Sequence, residues 1–391
     1  MTFSARHVFP STPSQIGATP AQIALVVGVC LVAGIAGGVL TAAVHPLAGF
    51  ALLIGAGVGL GMLLKLDVAL MAFVGTVYLL PFAKIPLRIG VSLTFLDVIL
   101  TVLLLTWIGR VVSRRDAELT GSPVHPMVLI FLGLILTSFM LGVQSMTADL
   151  LRLFLKLLNS ILFFFTLTSL IRSRDQFVRV IRWTLWAAAI EAVVALVLYA
   201  LSPDPAAQIL SLLRPLEYPS GPGVIRYIAG TETLRAIGTS VDPNVFGGML
   251  VLILPLSIAF VLAKEGPVRR PFQIVMVGAL ALALLLTMSR GAWLGAVAGF
   301  ALIATFRYRR LWVVAALAAA VFFLIPQSDQ FVERFQAGVQ LQDRATQMRL
   351  GEYKDALRLI QTYPFLGVGF GSAPDVGLYV GASSVYLLIA E

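Results

Sequence analysis

The sequence predicts an all-α polytopic integral membrane protein, with about 11–12 transmembrane helices and two long extracytoplasmic loops. Three observations predict it. Of the 391 residues, 59% are hydrophobic and only 12% charged, with a mean hydropathy of +0.95, far from the balance of a water-soluble domain. Apolar runs long enough to span a bilayer recur along the chain. Basic residues gather in the short segments between alternate runs, the pattern that orients membrane helices.

The first run, Ile23 to Val44, is too long for a signal-peptide core and lacks a small-residue cleavage site, so it is expected to stay as the first helix. Runs follow at Leu47 to Leu64, Val68 to Phe82, Leu93 to Val112, Met127 to Val143, Leu150 to Ile171 and Phe177 to Leu201. After a long polar stretch come Val245 to Ala263, Phe272 to Met288, Ala292 to Phe306 and Leu311 to Ile325. A further run begins near Val385 and is cut short at Glu391, which reads as a truncated last helix. The predicted layout is thus a single membrane domain: an N-terminal helix bundle (1–202), a first outer loop (203–241), core helices (242–326), a large outer loop (327–384) and the start of the last helix (385–391).

With the N-terminus placed inside, Arg6, Lys65, Arg110, Arg114 and Arg115, the Arg172 to Arg182 cluster, Lys264, Arg269 and Arg270, and Arg307, Arg309 and Arg310 all fall on one face. Lys84 and Arg88 stand alone in short turns of the other. The expected location is the bacterial cytoplasmic (inner) membrane, multi-pass, with a cytoplasmic N-terminus and both long loops outside. The net charge of +9 is therefore topological rather than a nucleic-acid footprint, and membrane lipid, not nucleic acid, is the expected partner. One cysteine and three scattered histidines form no metal-ligand cluster, so neither metal nor cofactor is expected.

The long loops carry the candidate chemistry, since long connections in compact proteins are functional or disordered. In the first, Asp242 is placed as an N-cap with Pro243 in the first turn of the next helix. The outward N-terminus and Arg235 together could seat a phosphate. Plain capping is the alternative, and the two are compatible. Ser289-Arg290-Gly291 interrupts two apolar runs. An arginine there either snorkels to headgroups or meets an anion. Topology puts Arg290 on the same face as Arg235, which favours a pyrophosphate seat. Glu191, inside an apolar run, is either a functional group or a hydrogen-bonded packing residue. In the second loop, Leu350, Tyr353, Leu357 and Ile360 form one apolar stripe, predicting an amphipathic helix that Pro364 ends. The segment Gly367-Val368-Gly369-Phe370-Gly371 predicts a flexible turn.

Arg235 with Asp242-Pro243-Asn244, then Ser289-Arg290-Gly291-Ala292-Trp293-Leu294-Gly295, then Arg349 and Tyr363-Pro364-Phe365-Leu366-Gly367-Val368-Gly369-Phe370-Gly371, in that order, resemble the bacterial O-antigen ligase and polymerase family. The resemblance spans roughly Arg235 to Glu391. It implies an inverting, metal-independent membrane glycosyltransferase that takes a glycan from an undecaprenyl-pyrophosphate-linked donor and passes it to a glycan or lipid-glycan acceptor outside the cytoplasmic membrane. It implies Arg235 and Arg290 as catalytic groups on the leaving pyrophosphate, and Asp242, Asn244, Ser289, Arg349, Gly367, Gly369 and Ser383 as substrate contacts. Many members carry a His-Asn pair where this chain reads Ser383-Ser384. A serine cannot accept a proton at neutral pH, which leaves Glu352, Asp375 or Glu232 as candidate bases, with Glu352 taken as the catalytic one.

A leaving group as good as a pyrophosphate needs charge stabilisation more than acid catalysis, and arginine supplies it with fixed geometry. Two other classes fit the helices. A transporter of a polysaccharide precursor or small solute would suit the bundle, but intramembrane charges are few and no internal repeat is visible. A scaffold would leave the paired arginines without purpose.

Overall fold

In the computed structural model of the chain, the described residues are 57–62, 65–85, 93–112, 123–143, 146–228, 231–263, 266–323, 344–365 and 367–371, with single or few residues between 27 and 38 and between 332 and 340. Most of the first predicted run, the start of the last helix, Asp375 and Ser383 lie outside them.

The named elements among the described residues are all helices, and apart from α6 and α11 of the polar loops each begins and ends within a few residues of an apolar run. In chain order these are α1 (Leu66–Leu79), α2 (Phe95–Val112), α3 (His125–Leu141), α4 (Ala148–Leu170), α5 (Arg174–Ala200), the short α6 (Pro203–Ser211), α7 (Pro243–Ala263), α8 (Arg270–Leu286), α9 (Arg290–Phe306), α10 (Leu311–Phe323) and α11 (Arg344–Thr362). By length and composition α4, α5 and α7 can each cross a membrane, and α1, α3, α8 and α9 are shorter apolar helices. These features make the chain an all-α membrane protein.

Sequence chemistry sets the helix starts. Thr94 and Asp97 form a reciprocal capping box at α2, each side chain accepting the other's backbone N–H at 3.0 and 3.1 Å. Thr147 caps α4 through Leu150 N, and Ser173 caps α5 through Gln176 N. Each side chain takes up an amide that would otherwise lack a partner in the first turn.

Helix α5 lies at the centre, packed on α1, α7 and α8. Its inward face is built of Ala188, Ala192 and Ala195, all fully buried, and residues this small let neighbouring backbones approach closely where lipid removes any hydrophobic drive. On α7 the same logic is inverted outward: Phe246 is 0% exposed while Leu252 is 72% exposed, as expected when the surrounding solvent is itself apolar.

The two ends of the bundle are chemically distinct. At one end Asp67 of α1 pairs with Arg179 of α5 at 2.9 Å and accepts from Gln176. At the other lie residues 80–85 and 201–228, joined by Lys84 N donating to Leu216 O at 2.9 Å. The predicted first outer loop is not featureless. It contains α6, three 3-10 turns and a bridge between Tyr227 and Leu234.

Candidate functional site

Helices α7 and α9 run side by side and in the same direction. A Cβ placed on Gly247 would lie 2.8 Å from Ala292 Cβ, one on Gly295 would lie 3.1 Å from Val251, and one on Gly299 would lie 2.8 Å from Pro255. Residue numbers rise together along this seam, so the helices are parallel and their N-termini sit at the same end. Gly291, Gly295 and Gly299 recur every fourth residue, the spacing that lets two membrane helices touch backbone to side chain. The seam's upper end is closed by Ser289 Oγ donating to Asn244 Oδ1 at 3.1 Å.

Arg235 joins this junction from a small hairpin. Its N–H donates to Arg226 O at 2.9 Å, and Ala236 N donates to Leu286 O at 2.8 Å, fixing the strand against the end of α8. The guanidinium then makes two contacts: Nε donates to Thr287 O at 2.8 Å and Nη2 to Asn244 Oδ1 at 3.0 Å. Asn244 therefore accepts from both Arg235 and Ser289. Beside it, Asp242 Oδ1 accepts from the amides of Asn244 (2.7 Å) and Val245 (3.0 Å), so this carboxylate caps α7 as its position predicts.

Arg290 opens α9. Its Nη2 donates to Thr346 Oγ1 at 3.1 Å and its Nη1 to Arg334 O at 3.3 Å, which ties the bundle to the second loop and α11. Four positive charges thereby converge. Burial lowers Arg235 from its ordinary value to about 10; the charges of Arg334, Arg290 and Arg349 push the same way, while Asp242 opposes them. At neutral pH Arg235 still carries its charge. Two helix N-termini and a group of arginines on one surface form an arrangement suited to a multiply charged anion.

The backbone leading into both helix starts is strained. Val241 and Met288 have φ of 54° and 50°, in the left-handed region that costs a non-glycine residue about 1–3 kcal/mol, more so for a β-branched valine. Arg226 Nε donates to Val241 O at 3.4 Å, and Thr287 Oγ1 accepts from Ser289 N at 3.2 Å. Each turn is held by a polar contact, and each places a helix start at the junction; the first amides of α7 are taken up by Asp242.

Glu191 supports this geometry from below. Fully buried on α5, it accepts from Thr239 N at 2.7 Å through Oε1 and from Thr239 Oγ1 at 3.0 Å through Oε2. A side chain on Gly238 would collide with that carboxylate, and φ of 56° there suits glycine. Of its two sequence-level readings, the hydrogen-bonded packing role is the one seen. The turn it holds, Gly238–Ser240, lies between Arg235 and Asp242.

Other predicted residues lie elsewhere. Glu352 sits half-buried on α11, three residues beyond Arg349, with no contact to Arg235, Asn244 or Ser289 among the described residues; the fully buried carboxyl on that helix is Asp355. Gly367, Gly369 and Gly371 all have positive φ (64°, 91° and 71°), and their turn docks on α3 and α4. There Phe370 N donates to Ser138 O of α3 at 2.9 Å, and a Cβ on Gly369 would strike the Gly142 amide nitrogen at 2.6 Å. Phe370 packs edge-on against Phe154 of α4. The geometry gives Gly369 and Gly371 a packing role. Glu232 is exposed near the hairpin's tip.

Sequence reasoning did not single out Arg334, Thr346 or Arg226. Arg334 and Thr346 come from the second loop and the first turn of α11, more than 40 positions from Arg290, whereas the four-residue glycine spacing of α9 was a readable signal for the seam.

The family model described as O-antigen ligase matches residues 274–389. Over that stretch the chain is similar to this family, in agreement with the resemblance carried by Ser289–Gly295 and Tyr363–Gly371, and the match supports a membrane enzyme family that transfers glycans. The matched stretch holds Arg290, Arg334 and Arg349, while Arg235, Asp242, Asn244 and Glu191 come from outside it. No curated protein and no solved structure matches the chain.

Proposed function

We propose that this protein transfers or polymerises a glycan from an undecaprenyl-pyrophosphate-linked donor at the outer face of the cytoplasmic membrane. The observation that carries the proposal is Asn244, whose side-chain oxygen accepts from both Arg235 and Ser289 and so locks two arginine-bearing segments onto two parallel helix N-termini. Such a fixed array matches a diphosphate whose negative charge grows as it departs.

In the reaction, an acceptor sugar hydroxyl attacks the anomeric carbon. The new glycosidic C–O bond forms as the bond from that carbon to the pyrophosphate oxygen breaks, inverting the centre. Arg235 and Arg290 take up the charge that develops on the leaving diphosphate, and Arg349, on the exposed face of α11, extends the positive surface. The hydroxyl proton passes to a carboxylate, for which Glu352, Asp375 and Glu232 are the candidates. Asn244 and Ser289 hold the guanidinium geometry, and Asp242 caps the first amides of α7 beside the site.

The test is transfer by purified full-length protein in proteoliposomes, followed as release of polyprenyl pyrophosphate from lipid-linked oligosaccharide. Arg235→Ala and Arg290→Ala should each abolish release while the protein still inserts; undiminished release would remove that residue from the mechanism. The same vesicles separate the transporter reading, which demands solute flux without glycan transfer. Supplying lipid-linked repeats alone, or adding a lipid-glycan acceptor, distinguishes polymerase from ligase.

A further inference from the structure

The end of the bundle opposite Arg235 holds a second gathering of arginines that glycan transfer does not use. Arg174 and Arg182 lie in the first turns of α5, and Arg269 and Arg270 at the start of α8. Between them opens a groove of about 640 Å³, bounded by these four residues and by apolar side chains that include Ile181 and Phe260. That volume is the size of a site for a small organic ligand.

All four guanidinium groups are exposed, and none has a hydrogen-bond or ion-pair partner among the described residues. Their neighbours on the same end differ: Arg179 is paired with Asp67 at 2.9 Å, and Arg172 donates to Ser169 O at 3.0 Å. Membrane orientation explains why basic residues lie at this end. It does not explain why four of them border one concavity with an apolar wall, where like charges repel unless an anion lies between them. The N-termini of α5 and α8 add their positive dipole ends to the same place. Ile181, next to Arg182 on α5, and Phe260 of α7 supply the apolar wall beside these charges.

We infer that this groove binds the headgroup of an anionic phospholipid, its phosphate against the four arginines and its acyl chains along Ile181 and Phe260. Basic pockets between membrane helices have this preference. Occupancy joins the ends of α5, α7 and α8, the helices that carry the Arg235 junction at their other ends.

The inference is tested on the purified full-length protein in mild detergent, by thermal unfolding with phosphatidylglycerol, phosphatidylcholine or inorganic phosphate at equal phosphate concentration. Phosphatidylglycerol should raise Tm by about 3 °C or more, and the other two should leave it unchanged. The R182Q/R270Q protein should lose that rise. An R309Q/R310Q protein, which removes the same charge outside the groove, should keep it. An equal rise with phosphatidylcholine, an equal rise with inorganic phosphate, or an equal loss in R309Q/R310Q would each overturn the inference. Should R182Q/R270Q fail to fold, native mass spectrometry of the wild-type protein from equimolar mixed micelles decides. Retention of phosphatidylglycerol several-fold over phosphatidylcholine supports the groove, and retention in proportion overturns it. Glycan transfer is measured in neither experiment, so failure here leaves the proposed reaction untouched.

Discussion

Two glycine-rich stretches fall within the same family-matched region and are used in opposite ways. In α9, Gly291, Gly295 and Gly299 keep ordinary helical backbone, and what matters at Gly295 and Gly299 is the missing side chain: α7 presses close enough to set two helix N-termini side by side. In the turn at 367–371 the glycines adopt left-handed backbone, and the turn pins the second loop against α3 and α4. The first stretch sits under Arg290 and Ser289. The second makes no described contact with the arginines. Glycines in the matched region thus serve both a close helix seam and the fastening of a loop, and geometry separates the two.

The sharpest break in this comparison would come from the arginines. Arg235→Ala should lower transfer by about 10²–10³-fold, the loss seen when one preorganised charge donor is removed from a reacting group, with Tm nearly unchanged. Wild-type turnover would show that the junction is only a helix cap. Next in size is Gly247→Leu, which drives a side chain into Ala292 directly below Asn244. Overpacking of this kind costs about 1–3 kcal/mol, and transfer should fall together with thermal stability, because prising the seam apart moves Ser289 away from Asn244.

Gly369→Ala should behave differently. Its φ of 91° and the contact with Gly142 should lower stability by about 1–3 kcal/mol, while turnover per folded molecule stays within a few-fold of wild type. A collapse of turnover at wild-type Tm would move the turn into the site and erase the distinction drawn above. Smaller again is Glu191→Gln, which keeps an acceptor for Thr239 N and should reduce transfer by less than about tenfold; Glu191→Ala leaves that amide unpaired, a cost of about 1–3 kcal/mol. The smallest effect is that of pH. Arg235, lowered to about 10, is protonated throughout the neutral range, so its contribution should be flat to about pH 9 and decline only above its pKa. A bound diphosphate favours the charged form, so the decline in kcat should lie at higher pH than that in kcat/KM. A fall in transfer between neutrality and about pH 9 would have to come from another group.

The helices were legible because hydrocarbon demands apolar side chains over a fixed length, and that demand is written residue by residue. The Asp242 cap was legible because capping is local. Convergence was only half visible: topology put Arg235 and Arg290 on one face, but the partners that lock them, Asn244 for the first and Arg334 O and Thr346 for the second, depend on how residues 9 and about 50 positions away fold back. Glu191 was visible as an anomaly and unreadable as a contact, because Thr239 lies 48 residues further on. For the glycines at 367 and 369, the sequence could signal a turn, not the helix end that receives it.

The parallel seam has a mechanical corollary. With Val251 and Pro255 seated over Gly295 and Gly299, α7 and α9 are interlocked at four-residue intervals along their N-terminal halves, as one rod would be. A catalytic cycle that admitted its substrate by spreading this pair would have to unzip the whole run of contacts. On the proposed function, turnover should therefore respond far more to a tether between the parts that rest on the rod's upper end, the hairpin bearing Arg235 and the amphipathic α11, than to one across the helices.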